Sequence, residues 1–149
     1  MRIEIANHQK LLPLDRKAIR SLCRQVLADH GREAGVSICV VDADEIKRLN
    51  ARYLGRDEPT DVLAFPLEDD FAAGDEPLLG EVVVSAERAI AEARRRNLPP
   101  HSELALYVAH GLLHLLGYDD HNAAERRRMR GAERAALERA GLAPEAPPT

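Results

Sequence analysis

Residues 104–116 read LALYVAHGLLHLL, and this stretch decides how the rest of the chain is arranged. It is apolar almost all round, so it predicts a buried central helix rather than a surface one. Its length, about 13 residues, is short of the roughly 18 that a membrane span needs. Gly117 follows as the stop. The two polar residues inside it, His110 and His114, are four apart, so their imidazoles leave one helix face about a turn from each other. Each buried imidazole must satisfy two nitrogens, and the apolar helix around them offers no partner.

The chain on either side alternates between strand and helix patterns. Arg2 to Asn7 alternates polar and apolar and reads as a short strand. Leu14 to His30 places Ile19, Leu22, Cys23, Val26 and Leu27 at helical spacing, with Gly31 as the stop. Val36 to Val41 (VSICVV) reads as a buried strand. Asp42 with Glu45 caps a helix whose inner face is Ile46, Leu49 and Tyr53. Gly55 to Asp61 is turn chemistry. Val62 to Leu67 is a strand in which Pro66 predicts an edge or a bulge. Residues 68–77 read as an acidic solvated loop, and Leu79 to Val84 as another strand. Ser85 caps a helix to about Asn97, Pro99-Pro100 breaks the chain, and Asn122 with Glu125 caps a last helix to about Ala140. The expected fold is α+β, one domain over 1–142, with about four strands in a mixed sheet, about five helices and a metal site on the buried helix. Residues 143–149 (APEAPPT) read as a disordered tail.

Composition sets the outer limits. The chain has 149 residues, 45% of them hydrophobic, which suffices for one core and is short for two. The formal net charge is −4, so a basic coat of the nucleic-acid-binding kind is excluded, although a local basic patch is not. The N-terminus lacks a signal-peptide pattern. Two cysteines, Cys23 and Cys39, make no disulfide framework and read as small buried hydrophobes of a reducing compartment. The expected location is the cytoplasm.

The paired histidines carry the chemistry. Helical i, i+4 spacing lets two imidazole nitrogens reach one zinc ion at about 2.0–2.1 Å. The chain turns back at Gly117 and brings Asp119, Asp120 and His121 near as a third ligand. Three protein ligands with an open position characterise a catalytic zinc site, where water is acidified toward neutral pH and becomes a nucleophile. Peptide hydrolysis of the HExxH kind needs a glutamate directly after the first histidine, and Gly111 stands there. A phosphodiester depends instead on cations near the phosphate.

HGLLHLLGYD, residues 110–119, resembles the signature of the YbeY family of bacterial endoribonucleases, His-Gly-x-Leu-His-Leu-x-Gly-Tyr-Asp-His. Upstream, Leu49-Asn50, Tyr53, Gly55, Asp57 and residues 59–66 (PTDVLAFP) are similar to the family's LN..YRGKD.PTDVLSFP segment. Residues 79–85 (LGEVVVS) are similar to its LGDIVIS strand. The resemblance spans about residues 36–140. It implies a zinc-dependent, single-strand-specific endoribonuclease in 16S rRNA 3′-end maturation and ribosome quality control. The expected cofactor is one zinc ion per chain. The expected partners are single-stranded or ribosomal RNA and the ribosome or its small subunit, with no membrane and no DNA.

Two positions depart from the family pattern. The family's third histidine falls at Asp120, and His121 comes one residue later. Charge favours His121, because three neutral ligands leave the ion at +2 and so attract phosphate and acidify water more strongly. Asp120 is the alternative third ligand, at the family's spacing. The family's arginine after the tyrosine of the LN..Y segment falls at Leu54. Arg56, at the family's Lys or Arg before Asp57, is the candidate catalytic cation, its fork suited to phosphate. Arg94-Arg95-Arg96 and Arg126-Arg127-Arg128 with Arg130 are local basic clusters that could hold an RNA backbone, and with 3% aromatic residues base stacking should be minor.

Two other readings remain open. One is a metalloprotease-like zinc hydrolase with its base supplied from elsewhere, for instance Glu81. The other is a non-catalytic ribosome-assembly module whose metal is structural.

Overall fold

The computed structural model describes residues 2–55, 60–67 and 77–142. Arg56, most of the acidic 68–77 loop and the 143–149 tail lie outside the described residues.

Among the described residues, nine elements follow in the order β1 (Ile3–His8), α1 (Arg16–Asp29), β2 (Gly35–Val41), α2 (Ala43–Leu54), β3 (Val62–Pro66), β4 (Leu78–Ser85), α3 (Ala86–Arg96), α4 (Pro100–Leu115) and α5 (Ala123–Arg139). The strands form one sheet in the order β1-β2-β4-β3. β1 and β4 each pair with β2 in parallel, and β3 pairs antiparallel to β4, so the sheet is mixed. β3 is an edge strand and ends on Pro66, the placement its missing N–H demands. The expected α+β single domain with four strands and five helices is the fold observed.

Two-residue alternation sorts the strand side chains between two cores. Val36, Ile38 and Val40 of β2 and Val82 and Val84 of β4 enter the larger core with α1, α4 and α5. Val41, Leu63 and Val83 enter a smaller core closed by Ile46 of α2, with Cys39, Leu49 and Phe65 packed against it. The continuous apolar run of β2 is therefore the mark of a strand covered on both faces.

Helix starts follow capping chemistry. Asp42 accepts from the Glu45 N–H at 2.8 Å, Ser85 from Arg88 at 3.2 Å and Asn122 from Glu125 at 2.8 Å. Asp15 likewise caps α1 by accepting from the Ala18 N–H at 3.1 Å. α4 begins at Pro100, four residues before the apolar run, because proline at the first helical position gives up an N–H that has no helical partner there. Its first turn holds the buried Glu103, whose Oε1 accepts from Arg96 Nη1 at 2.6 Å. Both cysteines are free, and burial pushes their thiols up, Cys23 to about 12 and Cys39 to about 11. Among the described residues, no helix is long and apolar enough to cross a membrane.

Candidate metal centre

α4 lies unusually close to the sheet at the point where it carries the histidine pair. A Cβ at Gly111 would stand 2.4 Å from Val82 Cγ1 and 3.2 Å from Val62 Cγ2. Glycine is thus imposed there by helix–sheet packing, whatever chemistry the neighbouring positions perform. The close approach sets His110 and His114 beside edge strand β3. With Leu54, Val62, Ala64, Gly111 and Leu115 they line a groove of about 500 Å³.

The two imidazoles meet nearly at right angles, their centroids 4.6 Å apart, with the Nε2 atoms 3.1 Å from each other. The chain then reverses at Gly117, whose φ of 106° lies in the region that favours glycine. The Tyr118 N–H donates to the Leu113 carbonyl at 2.9 Å, and the Tyr118 hydroxyl meets His30 Nε2 at 3.0 Å. His30 is fixed in turn by its Nδ1, 2.7 Å from the Val26 carbonyl. Tied at both points, the turn carries Asp120 back over the helix. Its Oδ2 lies 3.8 Å from His110 Nε2 and 3.7 Å from His114 Nε2.

His110, His114 and Asp120 are the group of three among the described residues whose ligand atoms converge closely enough to hold a metal ion. His121 stays out of it. The Glu125 carboxylate accepts from the His121 N–H at 3.1 Å as part of the α5 cap. The His121 side chain, 78% exposed, turns its Nε2 to Asp119 at 3.2 Å. It reaches only the lining of the same groove. The sequence expectation put His121 in third place, and the geometry brings Asp120 there. The Glu125 hydrogen bond ties the His121 backbone to the start of α5, and the ring points to Asp119 and solvent instead.

Glu133 was not legible as a site residue. It sits on the inner stripe of α5 with Met129 and Leu137, and its Oε2 lies 3.1 Å from His110 Nδ1. A carboxylate on an otherwise apolar stripe was the available signal. This contact assigns the His110 proton to Nδ1 and leaves Nε2 as a lone pair facing His114 and Asp120. Burial works to lower the His110 pKa. The hydrogen bond to Glu133 and the negative charges of Glu133, Asp120 and Asp61 outweigh it, and the imidazole sits above its ordinary value.

The donor set fits a zinc-sized ion. Bonds of about 2.0–2.1 Å in a tetrahedron separate ligand atoms by about 3.3–3.4 Å. The observed separations of 3.1, 3.7 and 3.8 Å bracket that value. Glu81, the base that a peptidase reading would call on, lies on the other face of the sheet, where its charge helps raise Cys39. Of the basic clusters, Arg95 pairs with Glu92 at 2.8 Å and Arg96 with Glu103, so the α3 run is largely engaged.

Fold and site together define a class: a small α+β protein in which two imidazoles of one helix and a carboxylate of the next turn converge beside an edge strand. A family described as Endoribonuclease YbeY matches residues 4–141. The chain is 40% identical over 124 residues to Endoribonuclease YbeY of Syntrophus aciditrophicus, covering 82% of this chain and 78% of that one. It is 39% identical over 142 residues to Endoribonuclease YbeY of Carboxydothermus hydrogenoformans, covering 93% and 97%. The solution structure of TM1509 from Thermotoga maritima superposes with a TM-score of 0.64 at 30% identity, covering 93% of this chain and 88% of the other. The chain belongs to the YbeY family.

Proposed function

We propose that this protein is a zinc-dependent endoribonuclease acting on single-stranded RNA, with His110, His114 and Asp120 holding the ion. The observation that carries the reading is the convergence of two Nε2 atoms and one Oδ2 in a chain whose relatives are named endoribonucleases. A zinc ion bound there supplies Lewis acidity and water acidified toward neutral pH.

The remaining work falls to the chain itself. Glu133 holds the His110 proton at Nδ1 and so fixes the ring's orientation. His30 and Tyr118 anchor the turn that carries Asp120. Leu54, Val62, Ala64 and Leu115 give the groove an apolar lining beside the histidines, able to exclude water around a bound nucleotide. Hydrolysis of a phosphodiester consumes one water: its oxygen bonds to phosphorus, one P–O bond breaks, and a proton passes to the departing oxygen. The chain must supply cations near the phosphate. Arg56 is the candidate cation from the sequence, and Arg126, donating to the Asp120 carbonyl at 3.4 Å, is a second guanidinium beside the site. The family resemblance supports the finer role, 16S rRNA 3′-end maturation and ribosome quality control on the small subunit in the cytoplasm.

The deciding experiment cleaves a labelled single-stranded RNA with zinc-loaded protein, with chelator, and with zinc restored, next to casein. RNA cleavage that chelator abolishes and zinc restores is expected, with casein intact. Casein cleavage without RNA cleavage would replace this reading with the peptidase one, and bound zinc with neither activity would replace it with the structural-metal module. Arg56→Ala is expected to lower turnover about 10²–10³-fold at unchanged zinc content.

A further inference from the structure

Glu133, which meets His110, also lines a second trench. On α4, Ser102, Leu106, His110 and His114 follow one another at four-residue intervals and form a single slanted ridge. α5 runs back along this ridge after the turn, and between the two helices lies a cavity of about 690 Å³. Leu98, Leu106 and Leu137 make its apolar floor, and Arg130 and Arg134 stand on its α5 bank. Arg126 continues the same bank toward the metal centre, where it touches the Asp120 carbonyl.

Arg126, Arg130 and Arg134 are each four residues apart, so their stems rise by about 6 Å per step along the helix. That is close to the separation of successive phosphates in an extended nucleic-acid strand. All three are exposed, and Arg130 and Arg134 have no ion-pair partner among the described residues. The acids of the trench are turned inward and engaged. Glu103, its side chain 4% exposed, is paired with Arg96, and Glu133, 12% exposed, is on His110. Glu138 is the exposed acid, and it sits four residues beyond Arg134, where the run of cations ends.

The geometry points to this trench as the track for the RNA strand leaving the metal centre, with Arg126, Arg130 and Arg134 on three successive phosphates. The inference rests on the endoribonuclease reading and extends it to how the substrate is held. An apolar floor beside a row of cations suits unpaired bases beside their own backbone. A duplex, its bases already paired and stacked, presents no such apolar face, so the trench selects single strands.

The test measures anisotropy of a fluorescent oligouridylate of about a dozen nucleotides over a range of salt. It uses metal-depleted wild type, Arg130→Ala/Arg134→Ala and Arg130→Lys/Arg134→Lys, with cleavage of the same RNA by the zinc-loaded wild type in parallel. Each single-strand phosphate contact adds about 0.7 to the slope of log K against log salt, so the alanine pair should flatten it by about 1.4. That corresponds to roughly 25-fold weaker binding at about 0.1 M salt, converging with wild type near 1 M. The lysine pair should keep the wild-type slope. An unchanged slope in the alanine pair, with wild type binding and cleaving RNA, overturns the trench and leaves the endoribonuclease reading standing. An equal loss of binding to duplex RNA or to polyglutamate also overturns it, since the residues would then bind any polyanion. Wild type that neither binds nor cleaves RNA overturns the underlying reading itself.

Discussion

Gly111→Ala sets two effects of opposite sign against each other. In a solvent-exposed helix interior, alanine is favoured over glycine by about 1 kcal/mol. At residue 111 the new methyl meets Val82 Cγ1 at 2.4 Å, Val82 Cγ2 at 3.1 Å and Val62 Cγ2 at 3.2 Å. Ordinary contact begins near 3.4 Å, so α4 and β4 must part by about 1 Å. Val82 is fully buried and β-branched, on a strand paired on both sides, and cannot swing clear. Overpacking of this kind costs about 1–3 kcal/mol, and the rigid partner places it at the upper end. The net expectation is a loss of about 1–2 kcal/mol, a Tm lower by about 2–8 °C for a chain of this size. Urea denaturation at equilibrium measures it. Val82→Ala makes room, so the double variant should recover at least about 1 kcal/mol relative to the sum of the singles. A Gly111→Ala protein more stable than wild type, or additivity within about 0.5 kcal/mol, would refute the packing argument.

Three further outcomes are expected. Zinc affinity by chelator competition should fall by more than about 100-fold in Asp120→Ala, by about 10–100-fold in Glu133→Gln, and hardly at all in His121→Ala; the reverse order for Asp120 and His121 would restore the three-histidine site. Arg96→Ala strips the partner from Glu103, whose side chain is 4% exposed, and should cost about 1–3 kcal/mol by urea denaturation, whereas a loss under about 0.5 kcal/mol would show the carboxylate re-solvated. In the metal-free protein, the raised His110 pKa means that the protonated ring stabilises the fold in full below its ordinary pKa of about 6.5 and loses that contribution as pH rises through the higher folded value. The stability advantage of wild type over Glu133→Gln should therefore shrink from about pH 5.5 to pH 8, and a flat difference would break the assignment.

Much of this protein is local and was legible in the sequence. The i, i+4 spacing of His110 and His114 places both rings on one face of any helix, whatever surrounds it. Asp42, Ser85 and Asn122 cap the helices expected of them because a cap needs only the backbone three residues on. The doubly apolar β2, the edge at Pro66 and the reversal at Gly117 likewise follow from the chemistry of single residues.

The rest depended on contacts between distant parts of the chain. Asp120 and His121 are adjacent and both can bind zinc, so spacing alone could not choose between them. Which of the two lies beside the histidine pair depends on the α5 cap that holds the His121 N–H and on the Tyr118–His30 contact, which spans 88 residues of sequence. Glu133 meets His110 only because α5 folds back along α4, which pattern reading does not supply. Gly111 marked an absent base in the sequence. In the fold it is the point where helix meets sheet too closely for any side chain, because Val82, 29 positions earlier, occupies the space. Local periodicity fixed each element and the histidine face; the approach of Asp120 to the histidine pair, the partner of His110 and the pairing of Arg96 with Glu103 were decided by tertiary packing, since only packing sets which surfaces of separate elements meet.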